Sequence, residues 1–424
     1  MLDVRAIRDD PQTYREGLGR RNLAGAVDEL LAADERRRNL TTRVEELRAK
    51  QNRASKAIGG ARGEDRQALI AEVAGVSAEL KDVLEPQLEE AETALATLLA
   101  VTPNVPHPSA PDGATEEDAQ EIRRIGELPS FDFEPRDHVA LGELLGMLDV
   151  ERAVRTSGAR FVYLLGDIVL VQFALIRHAL DILVEEGFSP VVPPVLVREH
   201  AMYGTGFLPD AEGQTYTTKE DDLYLVGTSE VSLAALHLGE IVEESLLPLQ
   251  YAGTSTCFRR EAGSYGKDLG GMFRVHQFDK VEMFVFTTPE ASWDEHERLL
   301  GIEERVIGDL EIPYRVVNIA AGDLGGPAAK KYDIEGWLPA QERYRELTSC
   351  SNTTDYQARR MQTRVRRADG SIEALHTLNG TATAIGRTLI AIMENHQRAD
   401  GSVRLPTKLH PYLPERLQEL TPRA

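Results

Sequence analysis

The sequence predicts an α+β protein that carries a long helical arm near its N-terminal end. Three observations carry that expectation. Residues 27–100 hold two runs of apolar positions at three- and four-residue steps, separated by a glycine-rich break. From about residue 120 onward, strand-like and helical segments mix without a regular βαβ alternation, which favours a mainly antiparallel β-sheet flanked by helices. Between the two lies TPNVPHPSAPDGATEED, Pro-rich and then acidic, a composition that cannot continue a helix. The expected boundaries are an arm-bearing domain over 1–105, a linker over 106–120 and a second domain over 121–424.

In the arm, Leu30, Ala33, Arg37, Leu40, Val44, Leu47, Gln51, Ala54 and Ile58 form the first seam. GGARGED then breaks the helix. Leu69, Val73, Val76, Leu80, Leu84, Leu88, Ala91, Leu95 and Leu98 form the second. Consecutive four-residue steps near Pro86 amount to a stutter, where supercoiling relaxes and the helix is expected to kink. Two such helices joined by a short turn must pair antiparallel to bury both stripes. The arm is also locally basic: from Arg36 to Arg62 nine Lys or Arg residues face only Glu45 and Glu46. One reading is a solvated coiled-coil face; the other is a protruding surface that reaches a phosphate backbone.

The rest of the composition narrows the function. The chain has 424 residues, is 42% hydrophobic and carries a formal net charge of -21, so any nucleic-acid surface must be local. MLDVRAIRDD shows no secretory h-region, and FVYLLGDIVLVQFALI is interrupted by Asp167 and Gln172 and too short to span a bilayer. The expectation is a cytoplasmic protein with no membrane partner. Cys257 and Cys350, the two cysteines, offer neither a disulfide framework nor structural-zinc spacing. No Walker A loop, no GxGxxG after a strand and no internal repeat is present.

The chemistry concentrates in a few segments. Tyr251–Arg260 reads as a strand with Cys257, Arg259 and Glu261 on one face. After a loop containing Lys267, Phe273–Phe286 alternates: Val275, Val281, Met283 and Val285 on one side, Arg274, His276, Phe278, Lys280 and Glu282 on the other. A solvated hairpin would satisfy this pattern. So would a cleft floor on which arginine meets a phosphate, a ring stacks on a base and a carboxylate accepts from an amino group. LYLVGTSEVSLAALHLGEI reads as strand, turn and helix, with Thr228 and Ser229 as N-cap residues and Glu230 placed either to complement the helix dipole or to bind a ligand. In RYRELTSCSNTTDYQARR, Glu346 and Ser349 offer oxygen ligands to Mg²⁺ shared with phosphates. In LNGTATAIGRTLIAIMENHQ, a loop at Asn379, Gly380 and Thr381 leads into a helix bearing Arg387.

Together these segments resemble class II aminoacyl-tRNA synthetases, and among them the bacterial-type seryl-tRNA synthetases. EEGFSPVVPPVLV resembles the first class motif, with Pro194 at its proline. FRRE and RVHQFDKVEMF resemble the second motif, and NGTATAIGRTLIAIMENHQ the third. VGTSE, ELTSCSNTTDYQARR and the two-helix arm are similar to features of the seryl enzymes. The resemblance covers essentially the whole chain in the expected order.

It implies activation of L-serine with ATP and transfer of the seryl group to the 3′ end of tRNA(Ser), with tRNA(Sec) as a second acceptor left open. Arg259, Arg387 and Glu346 are implied as catalytic. Thr228, Ser229, Glu230, Arg259, Glu282, Asn379 and Thr381 are implied for serine, with Thr381 standing where many relatives have Ser. For ATP the resemblance implies Arg259, Arg260, Glu261, Val275, Phe278, Glu346, Leu347, Thr348, Ser349 and Arg387. Within that set, Glu346 and Ser349 would hold Mg²⁺ through ATP, and Arg260 falls where the family varies. The arm is implied to grip tRNA through Arg36, Arg37, Arg43, Lys50, Arg53 and Lys56, with one subunit of a homodimer serving the active site of the other. Two other readings stay in view: a synthetase-like ligase that loads a carrier protein, which would lack the basic arm, and an inactive RNA-binding relative, which would lack Arg259, Glu346 or Arg387.

Overall fold

A computed structural model describes residues 1–209, 213–262 and 271–422. The chain divides into two compact units, Met1–Pro103 and Asn104–Ala424.

The first unit is helical. Short helices α1 (Val4–Asp9) and α2 (Pro11–Gly19) precede α3 (Ala26–Ile58), which returns through α4 (Gly63–Glu79), a π-helical turn (Leu80–Leu84) and α5 (Glu85–Val101). Both predicted seams are realised: Val44 of α3 packs with Val76, Leu80 and Leu84 of the returning segment. Salt bridges Arg36–Glu90, Arg43–Glu79 and Lys50–Glu72 fix the antiparallel sense. The stutter appears as the π turn. Pro86 has no N–H to donate one turn back, and the wider turn accommodates the phase slip while keeping Leu80 and Leu84 buried. Sequence patterning missed Asp34, which lies fully buried at the root of α3. Its carboxylate receives Arg8 at 2.9 Å, Arg37 at 2.9 Å and Arg38 at 2.8 Å. Burial alone would raise its pKa, but the three guanidiniums hold it below the usual range.

The second unit is built on eight strands: β1 (Gln120–Ile125), β2 (Ser189–Val191), β3 (Leu249–Phe258), β4 (Gln277–Thr287), β5 (Tyr314–Asn318), β6 (Lys330–Leu338), β7 (Arg343–Asn352) and β8 (His376–Ala384). Their order across the sheet is β1-β5-β6-β7-β8-β4-β3-β2, antiparallel except for the β2–β3 pair. Helices α6 (Asp167–Glu185), α7 (Glu230–Ala234), α8 (Ser292–Asp309) and α9 (Ile385–Asn395) pack on it. Val281, Met283 and Val285 of β4 join α6, α8 and α9 in the main apolar core. Phe284 and Phe286 pack with Leu233 of α7 and Met361 in a second cluster. The stretch from Asn104 belongs to this unit: the Asn104 amide donates to Gly326 O at 2.7 Å, and Ala110 packs with Val317 and Ile319. Among the described residues, no helix is long and apolar enough to cross a membrane.

Two local expectations change. Asn379–Thr381 is not a loop; it runs through central strand β8, hydrogen-bonded to β7 and β4. Gly380 is there for close packing, since a Cβ would come within 2.9 Å of Met283 Cε and 3.0 Å of Glu303 Oε1. The expected strand faces also end early. β3 stops at Phe258, and Arg259 and Glu261 leave the ladder, with Glu261 at φ 50°. β4 begins at Gln277, so Arg274, Val275 and His276 lie in the approach to the strand.

Candidate active site

A cleft opens over the sheet face that carries Phe278, Lys280 and Glu282. Strand alternation explains the floor, because these residues share a side while Val281 and Met283 point into the core. Beside them, Asn379 and Thr381 come from β8, and Glu346 and Ser349 from β7. Arg259 enters from the end of β3, Thr228 and Glu230 from the start of α7, and Arg387 from α9. Residues more than a hundred positions apart thus meet in one concavity.

At one end, Arg259 Nε donates to Gly227 O at 3.1 Å, and its guanidinium stands 5.3 Å from the Phe278 ring centroid. The Glu261 carboxylate lies 3.3 Å from Arg274 Nη1, and Val275 lines the cleft nearby. Arg387 Nη1 donates to both the carbonyl and the carboxylate of Glu346, each at 3.0 Å. Burial works to raise the Glu346 pKa, but the Lys331 and Arg387 cations outweigh it and hold the group low. Arg387 also lies 4.8 Å from the centroid of Phe273, whose ring faces Arg345 at 3.8 Å. Phe273 was passed over in the sequence; its place five residues before Phe278 in the same aromatic-basic run was the available signal.

At the other end the groups are buried. Thr381 Oγ1 donates to Glu282 Oε2 at 3.2 Å, and Lys280 Nζ sits 2.5 Å from the same oxygen. Glu230 Oε1 accepts from Gln357 Nε2 at 2.7 Å and Asn379 Nδ2 at 3.0 Å. Burial and then the neighbouring Glu282 charge push the Glu230 carboxyl up to about 7. Burial raises Glu282 too, opposed first by Lys280. Two buried carboxylates paired with amide, hydroxyl and ammonium donors suit a small, polar, positively charged ligand group.

Most of the expected site residues meet here, and two do not. Ser229 is fully buried against Gly253 and Leu233, and its hydroxyl has no partner among the described residues. Arg260 is exposed, and its amide donates to Gln214 O at 2.8 Å. Thr228 does not cap α7 in the expected way; its Oγ1 accepts from the Glu230 amide at 3.2 Å. Leu347 and Thr348 line the cleft but are nearly fully buried, Thr348 donating to Glu303 Oε2 at 3.1 Å. Lys267 and the rest of its loop, 263–270, lie outside the described residues. On the arm, Arg36, Arg43 and Lys50 pair with carboxylates of the returning helices, whereas Arg53 and Lys56 have no ion-pair partner among the described residues. Cys257 and Cys350 are free and buried, and no group of three or more His, Cys, Asp or Glu among the described residues could hold a metal.

Comparison with known proteins gives this geometry a family. Residues 1–106 match the seryl-tRNA synthetase N-terminal domain, and residues 214–396 match the tRNA synthetase class II core domain (G, H, P, S and T). A serine–tRNA ligase of Acidothermus cellulolyticus is 51% identical over 97% of this chain and 98% of its own length. The crystal structure of seryl-tRNA synthetase from Pyrococcus horikoshii complexed with ATP superposes with a TM-score of 0.94 at 42% identity, covering 100% of both chains. The cytoplasmic serine–tRNA ligase from Naegleria fowleri in complex with AMP gives a TM-score of 0.87 at 33% identity, over 100% of this chain and 99% of its own. The chain belongs to the seryl-tRNA synthetase family, the serine–tRNA ligases of class II.

Proposed function

We propose that this cleft condenses L-serine with ATP to seryl-adenylate and passes the seryl group to the 3′-terminal ribose of tRNA(Ser). The observation that carries the reading is the convergence of Arg259, Glu282, Glu230, Glu346 and Arg387 on one cavity. Adenylate formation needs a carboxylate held in line with the α-phosphorus. A bound carboxylate is already a nucleophile, so positioning and electrostatics carry the rate and no separate base is needed.

In this reading Arg259 holds the α-phosphate and the serine carboxylate. Phe278 stacks on adenine with Arg387 on its other side, Val275 offers backbone contacts and Glu261 accepts from the adenine amino group. Thr228, Glu230, Glu282, Asn379 and Thr381 form the serine pocket, in which alanine would leave polar partners unpaired and threonine must fit an extra methyl. Arg260 and Ser229 take no direct contact. Glu346, ionised and partly exposed to the cleft, and Ser349, three residues on along β7, form an all-oxygen donor set that fits Mg²⁺ shared with ATP phosphates. Bound there, Mg²⁺ would neutralise charge on the departing pyrophosphate.

The arm, in residues 1–105, serves as the tRNA-binding domain through Arg36, Arg43, Lys50, Arg53 and Lys56, while Arg37, also expected there, is held by Asp34. Residues 121–424 are the catalytic domain. The working form is a cytoplasmic homodimer, with tRNA(Sec) as a second acceptor to be tried beside tRNA(Ser). ATP–pyrophosphate exchange against serine, threonine, alanine and glycine tests the reading. Exchange well above background with serine alone is expected, and its absence with serine would overturn the assignment.

A further inference from the structure

The cleft contains one buried cation that none of these roles uses. Lys280 lies on β4 between Phe278 and Glu282, with 6% of its surface exposed. A buried ammonium is tolerated only when its N–H groups are paired. Here the partners are two members of the proposed serine pocket: Glu282 Oε2 at 2.5 Å and Thr228 Oγ1 at 2.7 Å.

Both contacts constrain what the pocket can offer a ligand. A hydroxyl oxygen has two acceptor lone pairs and one proton. Thr228 Oγ1 accepts from Lys280 and also from the Glu230 amide at 3.2 Å, so its remaining capacity is to donate. On Glu282, Lys280 and Thr381 both address Oε2, which leaves Oε1 as the oxygen without a partner among the described residues. Thr228 and Glu282 both line the cleft.

We propose that Lys280 is a positioning residue of the serine site, fixing the Glu282 carboxylate and the Thr228 hydroxyl in the orientation that receives the amino acid. The inference rests on the serine-activation reading above. The charges around Glu282 are Lys280 on β4, Arg259 beyond β3, Glu230 at the start of α7 and Glu303 on α8, with the Thr381 hydroxyl on β8. Glu230 and Glu303 are carboxyls that burial itself pushes upward, so they do not help keep Glu282 ionised. Lys280 is the strongest opposing influence. Removing it moves the ionisation of Glu282 to higher pH, and the ionised form is the one that binds an ammonium.

The experiment is serine-dependent ATP–pyrophosphate exchange across pH in the full-length enzyme, comparing wild type, Lys280→Met, Lys280→Gln and Lys280→Arg. In the Met and Gln variants the serine KM should rise about tenfold or more, equivalent to at least ~1.4 kcal/mol, while the ATP KM stays within about twofold. The acidic limb of kcat/KM for serine should move to higher pH in both, and the charge-conserving Arg variant should return it toward wild type. A wild-type limb and serine KM in a folded Met or Gln variant would overturn the proposal. So would loss of cooperative folding in both, which would assign Lys280 to stability alone. Absence of serine-dependent exchange in the wild type would instead reject the activation reading itself.

Discussion

On the arm, Arg43–Glu79 and Lys50–Glu72 leave between 39% and 63% of each side chain exposed, whereas in the cleft Lys280–Glu282 leaves 7% and 2%. The two pairings use the same chemistry under opposite solvation. Exposed pairs hold their partners weakly, are screened by salt and can exchange a carboxylate for a phosphate at little cost. A buried pair cannot exchange partners cheaply, so it fixes geometry. The arm is therefore suited to gripping a polyanion, and the cleft to discriminating a small ligand. Asp34 shows the second mode inside the first unit, where three arginines are committed to one buried carboxylate at the arm's root.

The largest expected effect falls on the buried side of this contrast. Arg259→Ala should lower kcat/KM for serine-dependent pyrophosphate exchange by about 10²–10³-fold, with circular dichroism unchanged. Near-normal exchange would show that the cleft does not work by positioned charge. Next comes the floor beneath it. Gly380→Ala places a Cβ against Met283, Glu303 and Cys350, and should cost about 1–3 kcal/mol in chemical denaturation. An unchanged midpoint would mean that the strand can shift to make room.

Smaller effects belong to the arm. Arg53→Ala and Lys56→Ala, which remove cations without an ion-pair partner among the described residues, should each weaken tRNA binding and reduce its salt slope by about one. Lys50→Ala should do less, because Lys50 is shared with Glu72. Pyrophosphate exchange should stay unaltered in all three. No loss at all from Lys50→Ala would break the exchange argument, because it would show Lys50 held by Glu72 and not free to trade it for a phosphate.

The two units were also unequally legible in the sequence. The arm follows from local periodicity, because a helix seam repeats every three or four residues and needs no distant partner. Asp34 escaped because Arg37 and Arg38 at i+3 and i+4 read as an ordinary solvated helix pairing, and its burial depends on Arg8, which approaches from another helix. The sheet face of Phe278, Lys280 and Glu282 was readable from alternation. Its neighbours were not, since β4 lies between β3 and β8, and β8 pairs with β7. Asn379–Thr381 therefore read as a loop: Asn and Gly signal turns locally, and only the crowding by Met283 and Glu303 shows why a strand has Gly380 there. Most of the site residues came from motif resemblance, which could not tell that Ser229 turns away from the cleft or that Lys280 joins Thr228 to Glu282.

The division of labour is tested most directly by measuring serine-dependent pyrophosphate exchange and tRNA(Ser) charging side by side, before and after residues 27–98 are replaced by a short bridging turn. The expected result is exchange within about twofold of the intact chain and charging reduced by about 10²-fold or more, the scale expected when several phosphate contacts are removed together. Charging that survives the deletion would contradict the assignment of tRNA recognition to the arm, and exchange that collapses with it would contradict the independence of the cleft.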